Sequence, residues 1–224
     1  MMRAQSLTAS QAYAETAVLE ANRTPANFLT CAIRPAGIFG EGDVQLLPPM
    51  VTAYRKRQTK FQIGVNENLF DFTYVENVAY AHLLAVQALM HTHTIAPTIP
   101  LDTERVDGEA FLVTNGQPVY FWDFARAVWH EAGDRLPLSK VWRLDPDFAW
   151  AIGGILEWVF WALGKKPSLT RQQARYSTLN KYHNIDKARS RLGYSPLVDL
   201  DEGIRRGVRY MLEQDEKAGQ KKDQ

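Results

Sequence analysis

The chain has 224 residues, 46% of them hydrophobic, enough for one large domain or a domain and a half around a substantial core. A formal net charge of +1 gives no support for a nucleic-acid-binding surface. The single cysteine, Cys31, excludes an internal disulfide framework and fits a reducing compartment.

The opening MMRAQSLTAS holds no apolar run, so no secretory leader is expected. Thr8-Ala-Ser-Gln11 fits a capping box and predicts a helix running to about Asn22, ended by Pro25. Ala14, Val18 and Ala21 would be its buried stripe. Residues 28–36, FLTCAIRPA, read as a buried parallel strand closed by Pro35. GIFGEGD reads as a loop, and QLLPPMVTAYRKRQ as a helix with proline near its start. FQIG and FDFTYV are strand candidates, and Glu76 or Asn77 opens the next helix.

His91 to Val106 lacks a period and reads as a loop. Its two histidines, His91 and His93, have no acidic or Cys partner at ligand spacing, so no metal site is expected. AFLVT (110–114) is a further strand and NGQP a turn. FWDFARAVWHEAG is an amphipathic helix ending at Gly133. Strands alternating with helices predict an α/β fold with a parallel sheet.

Residues 148–163, FAWAIGGILEWVFWAL, carry one charge, Glu157, and fall short of the roughly 20 residues needed to span a bilayer. Three readings stay open for them: a helix lining a hydrophobic pocket, an interfacial helix with Trp150, Trp158 and Trp161 at headgroup level, or a spanning segment. KARSRLGYSPLVDLDEGIRRGVRYM reads as two helices around a Gly-Tyr-Ser-Pro turn, followed by a charged tail that frays into solvent.

The segments AYAET (12–16), AIRPAGIFGEGD (32–43), NLFDFTYVENVAYAHLLA (68–85), FLVTNGQPVYFWDFARAVW (111–129) and KARSRLGYSPLVDLDEGI (187–204) occur in this order over nearly the whole chain. Together they resemble the extended short-chain dehydrogenases, within them the 3β-hydroxysteroid dehydrogenase family, and most closely its decarboxylating sterol-4α-carboxylate 3-dehydrogenases. The resemblance implies the C-terminal part of a Rossmann-like, doubly wound parallel sheet over residues 1–134. A mainly helical substrate-binding lobe (135–212) and the charged tail (213–224) would follow. It implies oxidation of a 3β-hydroxyl by hydride transfer to NAD or NADP, after which the 3-ketone lets a C4 carboxylate leave through an enolate. Tyr13 would take the alcohol proton, and Pro35, Gly37 and Ile38 would contact the nicotinamide. A sterol-like ligand and a place on the cytoplasmic side of the endoplasmic reticulum membrane are implied too.

Two features depart from the family pattern. The lysine expected four residues after Tyr13 is replaced by Ala17, and Arg23, ten residues on, is too far along the helix to stand in. The Gly-rich phosphate-binding turn is not found before Tyr13. Gly37-Ile-Phe-Gly40-Glu-Gly42 has the wrong spacing and carries acidic residues. An N-terminal dinucleotide-binding half is thus expected to be absent. That would leave an unpaired sheet edge and a bare apolar face that invite a second copy or another subunit. Three readings follow: an oxidoreductase by descent, impaired as this chain; a non-catalytic sterol- or partner-binding relative; or an incomplete polypeptide.

Overall fold

The computed structural model describes residues 2–25, 27–162 and 171–220. Helix α1 (Met2–Glu20) leads to strands β1 (Ala32–Pro35) and β2 (Gly37–Phe39), then helix α2 (Leu47–Arg55). Strands β3 (Phe61–Ile63), β4 (Leu69–Phe70) and β5 (Phe72–Tyr74) precede the long helix α3 (Val75–Thr94). Strands β6 (Ala110–Val113) and β7 (Val119–Tyr120), helix α4 (Phe121–Glu131) and strand β8 (Trp142–Leu144) follow. Helices α5 (Pro146–Ala162), α6 (Arg171–Tyr176), α7 (Asp186–Leu192) and α8 (Leu200–Gln220) complete the order.

The strands pair as β1 with β6, β2 with β5 and β3 with β8, all parallel, and as β4 with β7, antiparallel. This is the α/β class that the alternation predicts. The predicted GIFGEGD loop opens as strand β2 instead. Its cause is a change of partner at Ala36: the Ala36 amide still donates to the Val113 carbonyl at 3.0 Å, and from Gly37 onward the chain pairs with β5. The run predicted as a buried strand is only half-buried over most of β1, because among the described residues β1 is hydrogen-bonded to β6 alone.

Other boundaries differ for local reasons. Helix α1 begins upstream of the capping box, since no Pro or Gly stands in the preceding residues to stop it. Its predicted stripe is not buried: Ala14 and Val18 face solvent, while Glu15 and Leu19 turn partly inward toward β1. Helix α3 runs through His91 and His93, which are helical rather than in a loop. Helix α8 continues past Met211 to Gln220.

One core cluster joins β2, β5, α2, α4 and α8. Phe72 stacks on Phe124 with centroids 3.6 Å apart, and Phe39 meets Phe124 edge-on at 5.1 Å. Helix α8 approaches closely through Gly207, where a Cβ would fall 2.7 Å from Leu47 and 3.2 Å from the Gly40 Cα. A second cluster holds α3 and α7 against β6 through Ala81, Phe111, Val113, Ala188 and Leu192.

Between these clusters lies a buried polar knot. Asn77 and Asn115 are 0% and 3% exposed. The Asn77 amide nitrogen donates to Asn115 Oδ1 at 3.0 Å and to the Val198 carbonyl at 2.7 Å. Asn77 Oδ1 accepts from the Leu197 and Val198 amides at 2.9 and 3.0 Å. Asn115 accepts from the Tyr74 amide at 2.8 Å and donates to the same Val198 carbonyl at 3.1 Å. Asn77→Ala strips partners from two backbone amides, one of them buried. The expected cost is about 3 kcal/mol, read from the urea midpoint, against about 0.5 kcal/mol or less for Gln87→Ala on the exposed face of α3. A loss as small as the surface control would show the knot to be dispensable.

Candidate functional site

Among the described residues, helix α1 and the turn after it are held by two ion pairs, Glu15–Arg34 and Arg23–Asp107, the second within a buried polar cluster. The Arg34 guanidinium on β1 grips both oxygens of Glu15, with Nε 2.8 Å from Oε2. That hydrogen bond holds the Glu15 carboxyl below its ordinary value. At the far end of α1, Asn22 and Arg23 donate to Asp107 at 2.9 and 2.7 Å. Asp107 is fully buried; burial pushes its carboxyl up, but the bonds from Arg23 and Asn22 outweigh this and hold it low.

The helix is thereby held against β1. Tyr13 lies two residues before Glu15 and is 78% exposed. Ala17, one turn on, is exposed as well, and the Thr16 hydroxyl donates back to the Ala12 carbonyl at 3.0 Å. Pro35 and Gly37 are half-buried and Ile38 is 44% exposed, so this stretch presents an open surface.

The glycine loop after β2 is shaped by packing. Gly40 has φ +139°, and a Cβ there would meet Val75 at 2.7 Å and Tyr74 at 3.0 Å. Glu41 accepts the Tyr74 hydroxyl at 2.5 Å. Burial, followed by this bond, pushes the Tyr74 hydroxyl up to about 12. Asp43 accepts the amides of Gln45, Leu46 and Leu47 at the start of α2. A helix start occupied by its own carboxylate has no amides left for a phosphate, so the loop is not built as a pyrophosphate cradle.

A patch beside Gly37 was not signalled by any local pattern. The Phe70 ring comes to 3.4 Å from where a Gly37 Cβ would stand. Lys181 pairs in parallel with Phe70, and its ammonium lies 5.9 Å from the centroids of both Phe70 and Tyr176. Next to it, buried Asp71 accepts the His183 amide at 2.6 Å, and burial raises its carboxyl pKa. Lys181 lies more than a hundred residues from Phe70 in sequence; only the fold brings them together.

The profile of the 3-beta hydroxysteroid dehydrogenase/isomerase family matches residues 2–145. The chain belongs to that family. The decarboxylating sterol-4-alpha-carboxylate 3-dehydrogenase of Schizosaccharomyces pombe is 45% identical over 90% of this chain and 55% of its own length. The corresponding Mus musculus protein is 35% identical over 87% of the chain and 51% of its own length. The chain thus spans about half the length of the curated relatives it matches.

Among solved structures, the dTDP-glucose 4,6-dehydratase of Bacillus anthracis, in complex with NAD, aligns with TM-score 0.56 at 14% identity. It covers 93% of this chain and 52% of that one. RMD from Pseudomonas aeruginosa, complexed with NADPH, aligns with TM-score 0.53 at 13% identity over 88% and 52%. At such identities the likeness establishes the Rossmann-like fold of this 3β-hydroxysteroid dehydrogenase family member.

The Glu15–Arg34 tether can be read directly. An NMR titration of the Glu15 carboxyl should give a midpoint below about 4.3, the ordinary glutamate value, and Arg34→Ala should return it there. Because the folded value is lowered, the pair's stabilisation is complete above the unfolded pKa and is lost as pH falls through the folded one. An unshifted midpoint in the parent chain would mean that α1 is not held this way.

Proposed function

We propose that the chain carries the substrate-side part of an NAD(P)-dependent dehydrogenase acting on the 3β-hydroxyl of a sterol 4-carboxylate. The observation that carries this reading is the likeness, over nine-tenths of the chain, to a decarboxylating sterol-4-alpha-carboxylate 3-dehydrogenase. Tyr13 receives the alcohol proton on its hydroxyl oxygen. Pro35, Gly37 and Ile38 border the nicotinamide, whose chemistry when bound is to accept the hydride. Open Ile38 and side-chain-free Gly37 suit a flat ring, whereas Asp43 closes the neighbouring helix start to the pyrophosphate. Once the 3-ketone forms, the electron pair of the bond to the C4 carboxylate passes into an enolate and carbon dioxide leaves.

As this chain, the site is impaired. Ala17, standing where the family keeps a lysine, supplies no charge beside the Tyr13 hydroxyl. With NAD or NADP and a 3β-hydroxysterol 4-carboxylate, the purified chain should form reduced nicotinamide slowly. Ala17→Lys should raise the rate by about 10²-fold or more, and Tyr13→Phe should abolish the gain. Equal rates with and without the lysine would end the impairment reading. Saturable sterol binding without nicotinamide binding would favour the non-catalytic sterol-binding relative, a reading that the same Ala17 supports.

We also propose that helix α5 rests on the cytoplasmic face of the endoplasmic reticulum membrane. Phe148, Trp150, Ile155 and Trp158 are exposed along it, with Arg171 5.6 Å over the Trp150 ring. The Trp161 side chain and residue 163 lie outside what is described. No described helix is long and apolar enough to cross a membrane, and an apolar helix with tryptophans suits the interface. The open edge of β1 suits contact with a second copy or another subunit. Vesicles of zwitterionic and anionic phospholipid should co-sediment the chain, and Trp150→Ala with Trp158→Ala should weaken this several-fold. Undiminished co-sedimentation of the double variant would remove α5 from the contact.

A further inference from the structure

We propose that Lys181 recognises the carboxylate of the acidic sterol, an inference that rests on the substrate reading above. Its backbone is held on both sides: the Lys181 amide donates to the Leu69 carbonyl at 2.8 Å, and its carbonyl accepts from the Asp71 amide at 2.9 Å. The half-buried side chain then lies between two rings, 5.9 Å from the centroids of Phe70 and Tyr176. Three cations near β1, β6 and α5 are neutralised: Arg34 by Glu15, Lys187 by Glu109 and Arg171 by Glu157. Among the described residues Lys181 has no carboxylate within ion-pair distance. Asp71, whose amide bonds the Lys181 carbonyl, spends a carboxylate oxygen on the His183 amide.

An ammonium set over two rings with no carboxylate partner can give an incoming anion a charge-assisted hydrogen bond. The rings beside it favour an apolar, flat partner. One ligand with both properties is a fused-ring acid laid on exposed Tyr176, Leu179 and Tyr182, with its carboxylate on Nζ above the buried Phe70 ring. Position completes the case. Phe70 touches the space above Gly37, the residue beside Ile38, so the cation stands next to the stretch assigned to the nicotinamide edge. The carboxylate and the carbon that loses hydride are neighbours in a 3-hydroxy-4-carboxylate. Lys181 thus sets which sterol is accepted and in which orientation; it takes no proton from the reacting alcohol.

The test uses the full chain and two probes, a 3β-hydroxysterol 4-carboxylate and its isosteric primary 4-carboxamide, with affinities read from tryptophan fluorescence at fixed ionic strength. The parent chain should bind the acid about tenfold or more tightly than the amide, the scale of one charge-assisted hydrogen bond. Lys181→Met should bring the ratio close to one, and Lys181→Arg should restore most of it. Circular dichroism establishes that each variant is folded. A Lys181→Met chain that keeps the parent's preference would overturn the assignment, as would a parent chain that binds both probes equally. A parent chain that binds neither probe would overturn the sterol reading itself, and the role of Lys181 with it.

Discussion

The arrangement depends on two buried asparagines. Asn77 stands in the first turn of α3 and Asn115 just after β6, and both reach Val198 in the segment leading into α8. Three parts of the chain that are far apart in sequence thereby share one carbonyl. The cost of burying two carboxamides is met because nearly every donor and acceptor in the knot has a partner. The apolar clusters on either side supply most of the driving force, but such contacts are non-directional. The knot sets the register: it decides where α8 begins, and so which of its residues face Gly40 and Leu47.

That register bears on the site. Gly203 and Gly207 let α8 come within reach of Tyr74 and Gly40, and Arg206 between them pairs with Glu76 and Glu202. Tyr74 in turn holds Glu41. The glycine loop after β2 is therefore pinned from below by α8, and from its far end by Asp43 at the start of α2. A loop fixed at both ends positions Ile38 as a rigid surface. This agrees with its acidic residues serving the fold and not a ligand.

Much of this was legible in the sequence. The alternation of apolar runs with amphipathic segments gave α/β with parallel pairing, and FWDFARAVWHEAG read as the amphipathic helix that α4 is. What failed did so for identifiable reasons. The stripe Ala14, Val18 and Ala21 has the right period, but periodicity reports a face that could be buried, not whether anything covers it. GIF looked like loop because its partner, FTY, can be found only by folding. Lys181 carried no motif at all: its meaning comes from Phe70 and Tyr176, one of them distant in sequence. The roles proposed for Tyr13, Pro35, Gly37 and Ile38 rest on the family resemblance alone, since no composition or period distinguishes them.

The absent lysine has a further consequence that the geometry makes plain. Helix α1 does have a cation beside it, Arg34, two residues along from Tyr13 through Glu15. A guanidinium free to face the phenol could stand in for the ammonium of such a lysine. Here both Glu15 oxygens occupy it, so the pair presents almost no net charge to its surroundings, and a dipole's field falls off faster than that of a single charge. In the proposed site, the tether that holds α1 on β1 is thus the same contact that occupies Arg34. If Tyr13 is the proton acceptor proposed above, holding the helix and assisting the tyrosine, separate tasks where a lysine follows one turn later, would compete in this chain for one arginine, and holding the helix has it.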